Sequence, residues 1–152
     1  MSVRRVGVCD AGAAMIFHGT AIIAGVASGE VFACPPLSFW GGFNAKLGVV
    51  TDVSHAAHGK SLAGKVLVMS AGRGSSSASS VLAEAIRLGT APAAIVMSEA
   101  DSILTVGAMV AAALYDKHCP IVILSPQDHA ALSRFSGAAR VSAGAEAAQV
   151  EV

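Results

Sequence analysis

The sequence predicts one compact α/β domain over residues 1–152, and three features of the residue pattern indicate this class. The first third alternates glycines with short apolar runs, which favours strands because the intervals are too short for helices. The middle contains a continuous apolar run, then a glycine turn, then an amphipathic stretch, which is the order strand, turn, helix. Two further apolar runs follow, as expected for strands covered on both faces of a sheet.

The Gly-rich first third is expected to contain three strands, over Ala14–Phe17, Thr20–Ala24 and Glu30–Ala33, separated by glycines. Pro35 and Pro36 end the third strand because proline has no amide hydrogen to donate to a strand ladder. The segment Leu37–Gly42 is therefore expected to be a loop. Val49–Val53 is expected to form another short strand.

The middle of the chain carries the strand, turn and helix in sequence. Lys65–Met69 is a continuous apolar run of the kind found in a buried strand. From Ser79–Leu88 the apolar residues recur at intervals of three and four, and Gly89 follows as a stop signal. We therefore expect a tight turn between this strand and an amphipathic helix.

The last third is expected to add two buried strands, over Ala93–Met97 and Ile121–Leu124. Between them Thr105–Tyr115 is apolar on all sides, and we interpret it as a buried helix. Ser125 followed by Pro126 predicts the start of a short helix that continues to about Phe135. The tail from Gly137 is expected to return as one last strand.

Composition excludes several classes of protein. Of the residues, 54% are hydrophobic and 13% charged, so disorder is not expected. Ten Lys and Arg balance ten Asp and Glu, and this neutrality disfavours nucleic acid as a partner. The longest apolar stretch, Ala11–Ala27, is interrupted by His18 and several glycines, so it does not suit a membrane span.

Cysteine and histidine usage predicts no metal site in this chain. Cys9, Cys34 and Cys119 are odd in number and far apart, which disfavours a disulfide framework and favours a reducing cytoplasm. Cys119 is expected to be a small core residue. His55 and His58 have a spacing compatible with metal ligands, but without neighbouring Cys, Asp or Glu ligands they are interpreted as loop histidines.

The segment Gly72-Arg73-Gly74-Ser75-Ser76 is the first candidate for chemistry. It lacks the third glycine of a dinucleotide fingerprint and the Lys of a P-loop. Glycines still allow close backbone approach, and the amides of a helix N-terminus favour an anion such as a carboxylate. The alternative is that Ser75 or Ser76 only caps the helix.

The segment Ser38-Phe39-Trp40-Gly41-Gly42 is the second candidate, because two large rings stand beside two glycines. Core packing is the usual role of aromatic side chains. The pair of glycines also suits an unusual backbone conformation at an interface or a pocket rim.

A serine hydrolase is disfavoured because the sequence has no Gly-x-Ser-x-Gly elbow.

Taken together, several segments resemble the small subunit of the aconitase X family. They are Pro36–Gly42, Asp52 and His55 before Gly59, Gly64–Val68, Gly72–Ser76 and Ala91–Val96. The Ser-Phe-Trp-Gly-Gly segment is the distinctive one. The resemblance implies a swivelling β/β/α domain of the aconitase superfamily. It also implies a large partner subunit whose cysteines hold an iron–sulfur cluster or iron, with the active site between the two subunits.

The resemblance also assigns roles to residues. The Gly-x-Gly-Ser-Ser turn is similar to that of the aconitase swivel domain, which carries a serine that removes a proton from substrate, and this makes Ser75 the candidate base. Substrate binding is expected from six residues around it, Arg73, Gly74, Ser76, Ser38, Phe39 and Trp40. No metal ligand is implied in this chain.

Known activities of the family are dehydrations of small hydroxy acids, and the resemblance implies one of two substrates. They are cis-3-hydroxy-L-proline, which would give Δ1-pyrroline-2-carboxylate, and a phosphorylated mevalonate. The chain has only four Lys and is rich in Ala, which favours a bacterial source and hence the first substrate. A non-catalytic swivel module that only binds an anion is the alternative of a different class.

Overall fold

The computed structural model describes residues 3–6 and 14–152, which fold into a sheet with helices packed on it. The described strands are β1 Val3–Val6, β2 Ala14–Ile23, β3 Gly25–Ala33, β4 Phe43–Asn44, β5 Val49–Val50, β6 Val66–Val68, β7 Ala94–Met97, β8 Ile121–Ile123, β9 Ala138–Ala143 and β10 Ala147–Glu151. The described helices are α1 Phe39–Gly42, α2 Ala78–Leu88, α3 Ser102–Tyr115 and α4 Pro126–Ser133. The α/β class predicted from the sequence is confirmed.

The main sheet closes on itself through β2. Its strand order is β1-β2-β10-β9-β3-β6-β7-β8, and β2 additionally pairs with β8. The first part of β2 pairs with β1 and its last part with β8, while β10 occupies the other edge. Strands β3, β6, β7 and β8 run parallel, whereas β2, β9 and β10 join by antiparallel pairing. A closed sheet buries one face inside and leaves the other face for helices.

Two apolar cores follow from this closure. Val66 and Val68 of β6 face the inner cluster, which also contains Phe17, while Leu67 between them faces the outer cluster. All three side chains are fully buried. The inner cluster includes Leu132 of α4, and the outer cluster is shared with α2 and α3. The prediction that this strand is covered on both faces is therefore confirmed.

The expectation that glycines separate the strands of the first third was wrong at Gly19 and Gly29, whereas β2 and β3 do part beside Gly25. β2 continues through Gly19 and β3 continues through Gly29. A Cβ at Gly19 would lie 2.6 Å from the carbonyl oxygen of Ile123, and one at Gly29 would lie 2.2 Å from that of Gly64. These glycines mark places where another backbone segment lies against the strand.

The sequence predicted a buried helix over Thr105–Tyr115. Helix α3 does form there, but it is not buried on all sides. Asp101 caps its N-terminus, because its carboxylate accepts hydrogen bonds from the amides of Ile103 and Leu104, both at 3.0 Å. One face packs on the core through residues such as Ala108, whereas the opposite face is exposed. The large exposed residues of this apolar face are Val106, Met109, Val110 and Leu114. The sequence could not show this because both faces have the same composition.

Smaller differences separate the observed bounds of the remaining elements from those predicted from the sequence. The strand predicted over Val49–Val53 is limited to β5, and the single tail strand is instead the pair β9 and β10. Helix α4 begins as predicted, with Ser125 Oγ accepting a hydrogen bond from the Asp128 amide at 3.2 Å.

Among the helices in the described ranges, none has the length and apolarity that a membrane crossing requires.

Candidate active site

The serine turn, residues Gly72–Ser77, connects β6 to α2. Ser75 Oγ accepts a hydrogen bond from the Ser77 amide at 3.1 Å, and the Ala78 amide donates to the Ser75 carbonyl at 3.0 Å. The hydrogen bond to Ser75 Oγ closes a turn just before α2. The N-cap of α2 is Ser77, which makes no side-chain cap hydrogen bond, so neither Ser75 nor Ser76 is the helix cap that one of the two sequence interpretations expected. The Ser75 side chain is exposed, so the hydroxyl is accessible at the positive end of the α2 dipole.

The tryptophan turn, residues Ser38–Gly42, lies in the segment that the sequence predicted to be a loop, and it coincides with α1, whose dihedral angles are not helical at Trp40 and Gly41. Trp40 (φ −86°, ψ 113°) and Gly41 (φ 79°, ψ −15°) have the dihedral angles of a type II β-turn. Ser38 Oγ donates a hydrogen bond to the Trp40 carbonyl at 2.9 Å. Glycine is required at the second central position because its φ is positive. The turn buries Phe39 completely and leaves Trp40 55% exposed.

The two turns lie against each other. The Arg73 amide donates to the Leu37 carbonyl at 3.3 Å. Gly74 has φ +93°, and a Cβ added to it would lie 2.3 Å from Ser38 Oγ. A side chain at position 74 would therefore collide with the tryptophan turn. Folding brings together two segments that the sequence analysis had singled out separately.

A cavity of about 220 Å³ opens where the turns meet the N-terminus of α3. Of the predicted site residues, Phe39, Arg73 and Gly74 line it. The other lining residues are Leu37, Gly72, Ala78, Asp101, Ile103 and Leu104. The sequence analysis missed Asp101, although an Asp directly before an apolar run is a recognisable helix cap.

Asp52 joins the site through Arg73. Its Oδ2 lies 3.4 Å from Arg73 Nη2, and its Oδ1 accepts hydrogen bonds from the Ser54 amide at 2.9 Å and the Ser54 hydroxyl at 2.7 Å. The Ser54 hydrogen bonds, first that of the hydroxyl, hold the pKa of Asp52 below its ordinary value, with smaller contributions from Arg73 and His55. The carboxylate therefore remains charged at neutral pH. The resemblance had included Asp52 without assigning it a role.

His55 has a structural position. It is buried, its Nδ1 accepts a hydrogen bond from the Ala57 amide at 3.0 Å, and its Nε2 lies 3.0 Å from the Pro35 carbonyl. Because Nδ1 is an acceptor, we assign the ring hydrogen to Nε2, which donates to Pro35. Both ring nitrogens are occupied in this way. His55 therefore braces the chain between β3 and the tryptophan turn.

Metal ligands do not come together in the described part of the chain. Residues 3–6 and 14–152 contain no group of three His, Cys, Asp or Glu side chains placed to hold an ion. Cys119 is buried, as predicted, and burial raises its pKa to about 12. Burial likewise raises the pKa of Cys34 to about 11. Neither thiol is a ready thiolate ligand at neutral pH, and Cys9 lies outside the described residues.

Two curated relatives match this chain over part of their own length. The chain is 46% identical over 68% of its length to a cis-3-hydroxy-L-proline dehydratase of Pseudomonas aeruginosa, of which the match covers 18%. It is 44% identical over 38% of its length to the phosphomevalonate dehydratase small subunit of Thermococcus kodakarensis, of which the match covers 44%. The chain thus spans less than half the length of these curated relatives.

Comparison with solved structures and with a family model gives results that agree with these sequence matches. The crystal structure of Thermococcus kodakaraensis aconitase X in its holo-form superposes with a TM-score of 0.73 at 33% identity, covering 89% of this chain and 97% of that one. The family model described as the aconitase X swivel domain matches residues 16–152. That range includes most of β2, the strands β3 to β10, the tryptophan turn and the serine turn. From its second strand to its last residues, this chain belongs to the aconitase X swivel-domain family.

Proposed function

We propose that the chain is the small subunit of a two-subunit dehydratase and supplies Ser75 as the base that removes a proton from a hydroxy-acid substrate. The observation that carries the proposal is the position of Ser75. Its exposed hydroxyl stands at the N-terminus of α2 and accepts a hydrogen bond from the Ser77 amide. We further propose cis-3-hydroxy-L-proline as the substrate, with Δ1-pyrroline-2-carboxylate as the final product.

The proposed chemistry needs a stabilised alkoxide, because a neutral hydroxyl is a very weak base. The Ser77 amide and the dipole of α2 both favour negative charge on Ser75 Oγ, and the Arg73 guanidinium adds a nearby cation. The base takes the proton from the carbon that bears the substrate carboxylate. Ser76 and the amides of the turn are proposed to bind that carboxylate. Elimination then gives an enamine, which tautomerises to the imine product.

The choice of substrate rests on the extent of the matches. The relative named cis-3-hydroxy-L-proline dehydratase aligns over 68% of this chain, and the phosphomevalonate dehydratase small subunit over 38%. Phosphomevalonate is the alternative, since an anion-binding turn suits either ligand. Assay of the reconstituted pair on both compounds tests the choice. Faster dehydration of phosphomevalonate would contradict our proposal.

A non-catalytic anion-binding module is the second candidate. It is favoured by the hydrogen bond that Ser75 Oγ accepts from the Ser77 amide, because a serine that only closes a turn needs no chemistry. Copurification separates the two candidates. A partner of a few hundred residues that is required for dehydration supports the enzyme, whereas a stable monomer without such a partner favours the module.

Two exposed apolar features support a partner. Trp40 projects from the tryptophan turn, and the apolar face of α3 adds Val106, Met109, Val110 and Leu114. Helix α3 carries no charged residue from Ser102 to Tyr115. Exposed apolar side chains that cluster on one helix face, as they do on α3, are typical of contact with another chain. We propose that the large subunit covers these side chains and completes the active site.

We predict that the purified chain folds but contains no stoichiometric iron and does not dehydrate either substrate. The reason is that the described residues offer no ligand set for iron or an iron–sulfur cluster, so we propose that the large subunit holds this centre. Metal analysis and an activity assay, with and without the partner, check the prediction. Stoichiometric iron that disappears in a variant with all three cysteines replaced would contradict it.

We predict that Trp40→Ala weakens association with the large subunit by about 30-fold or more, as expected for a central aromatic contact of about 2 kcal/mol. Val26→Ala is the matched control, because Val26 is also an exposed apolar residue, at 62%, but lies in β3. Titration calorimetry with the purified partner measures both affinities. Equal affinities for Trp40→Ala and wild type would reassign Trp40 to the free surface.

A further inference from the structure

We propose that Asp52 is a positioning residue that aims the Arg73 guanidinium at the anionic group of a ligand bound beside the serine turn. This inference rests on the proposed function and deepens it. Asp52 does not itself contact the ligand in this assignment. It acts through Arg73, to which it is joined by the contact of 3.4 Å between Oδ2 and Nη2.

Asp52 is held firmly enough to orient another side chain. Its Oδ1 accepts two hydrogen bonds from Ser54, and its side chain is only 22% exposed. Its backbone is tied to the tryptophan turn, because the Thr51 and Asp52 amides point to the Gly42 carbonyl at 2.9 and 3.4 Å. The carboxylate is therefore fixed relative to that turn and, through it, to the cavity.

The Arg73 side chain has little else to fix its orientation. Its side chain is 57% exposed and stands between Gly72 and Gly74, whose lack of side chains leaves it without lateral packing from its chain neighbours. A free arginine side chain loses considerable rotamer entropy when a ligand immobilises it. One contact with Asp52 occupies Nη2 and leaves the other guanidinium hydrogens for a carboxylate. The ion pair thus orients Arg73 before the ligand binds and leaves guanidinium N–H groups free to contact the ligand.

Two other roles for Asp52 predict different results. If Asp52 only lowers the local positive potential, neutralising it should tighten anion binding and lower the KM. If it is an ordinary surface ion pair, neutralising it should change nothing measurable. If it positions Arg73, neutralising it should raise the KM. The sign of the change therefore separates the three roles.

A double-mutant cycle on the reconstituted enzyme tests the proposal. We expect Asp52→Asn to raise the KM about tenfold with a smaller change in kcat, since a misplaced binding group weakens ground and transition states alike. In the Arg73→Ala background the same substitution should have no further effect. Glu30→Gln is the matched control, because it removes one carboxylate from the distant Lys65 ion pair and should leave the KM unchanged. An unchanged or lowered KM, or additive effects in the cycle, would overturn the proposal.

A second measurement does not depend on the reaction. Nitrogen-15 relaxation of the Arg73 Nε–H group in the isolated chain reports how strongly that side chain is ordered. We expect the order parameter to fall in Asp52→Asn and to stay at its wild-type value in Glu30→Gln. An order parameter that Asp52→Asn leaves unchanged refutes the positioning role. If the order parameter falls but the wild-type pair dehydrates neither substrate, the proposed function fails while the ordering of Arg73 by Asp52 stands.

Discussion

Ser75→Ala is expected to lower the turnover number by about 100-fold or more while preserving the fold and the association with the partner. Deleting a positioned base removes the proton transfer itself, whereas the lost hydrogen bond from the Ser77 amide lowers the free energy of unfolding by only about 1 kcal/mol. Steady-state kinetics and thermal unfolding of the same preparation measure the two effects. Exchange of the substrate α-proton with deuterated solvent should disappear together with turnover.

The controls for this prediction lie in the same run of serines. Ser80→Ala removes an exposed hydroxyl of α2 that only donates to the Ser77 carbonyl, so it should leave turnover nearly unchanged. A raised KM with nearly normal turnover in Ser75→Ala would indicate the anion-binding module instead. Loss of turnover in Ser76→Ala alone would move the base by one residue. Normal turnover in both variants would show that the family role does not apply to this turn.

Gly74→Ala is expected to have the second largest effect, on both stability and activity. A left-handed backbone costs a residue with a Cβ about 1–2 kcal/mol, and here the Cβ would also lie 2.3 Å from Ser38 Oγ. Rotating the Ser38 hydroxyl away would break its hydrogen bond to the Trp40 carbonyl and would still leave the added Cβ 3.0 Å from Ser38 Cβ, so we expect the two turns to shift apart. A displacement of about 1 Å at a reacting group lowers kcat/KM by about 100-fold. Denaturant unfolding and kinetics of the reconstituted enzyme check the prediction.

Gly89→Ala separates backbone strain from collision. Gly89 has φ +78° at the C-terminus of α2, and a Cβ there meets nothing within 4 Å. It should therefore lose a similar amount of stability from strain alone and retain activity. Adding Ser38→Gly to Gly74→Ala removes the colliding atoms and should recover part of the lost stability. Wild-type activity in Gly74→Ala would show that the contact between the turns is not needed for the reaction.

Local patterns predicted β6 and α2 well. The apolar run of β6 and the three- and four-residue spacing of α2 depend on neighbouring residues, so they can be read along the chain. The glycines of β2 and β3 were misread for the opposite reason. Gly19 is required by a contact with Ile123 that arises only when β2 pairs with β8. A glycine at a turn and a glycine at a strand crossing are identical in sequence.

The candidate site also has features that the sequence predicted and features that depend on tertiary contacts. The sequence singled out the serine turn and the tryptophan turn, and resemblance to the family made Ser75 the candidate base. Neither source could show that Gly74 lies against Ser38, or that Asp52 contacts Arg73. These contacts join residues that are distant along the chain. They depend on the path of β3, the tryptophan turn and β5 around the same end of the sheet.

By itself the sequence determined the class of the domain and singled out the segment that we propose binds an anion, because strand and helix periodicity and helix N-termini are local properties. Only the tertiary structure decided which face of α3 is exposed, how the sheet closes, and which residues line the cavity beside the serine turn. An apolar helix such as α3 has no periodic difference between its faces, so its burial depends on what packs against it. In the same way, the orientation of Arg73 depends on a carboxylate that folding, and not chain proximity, brings to it.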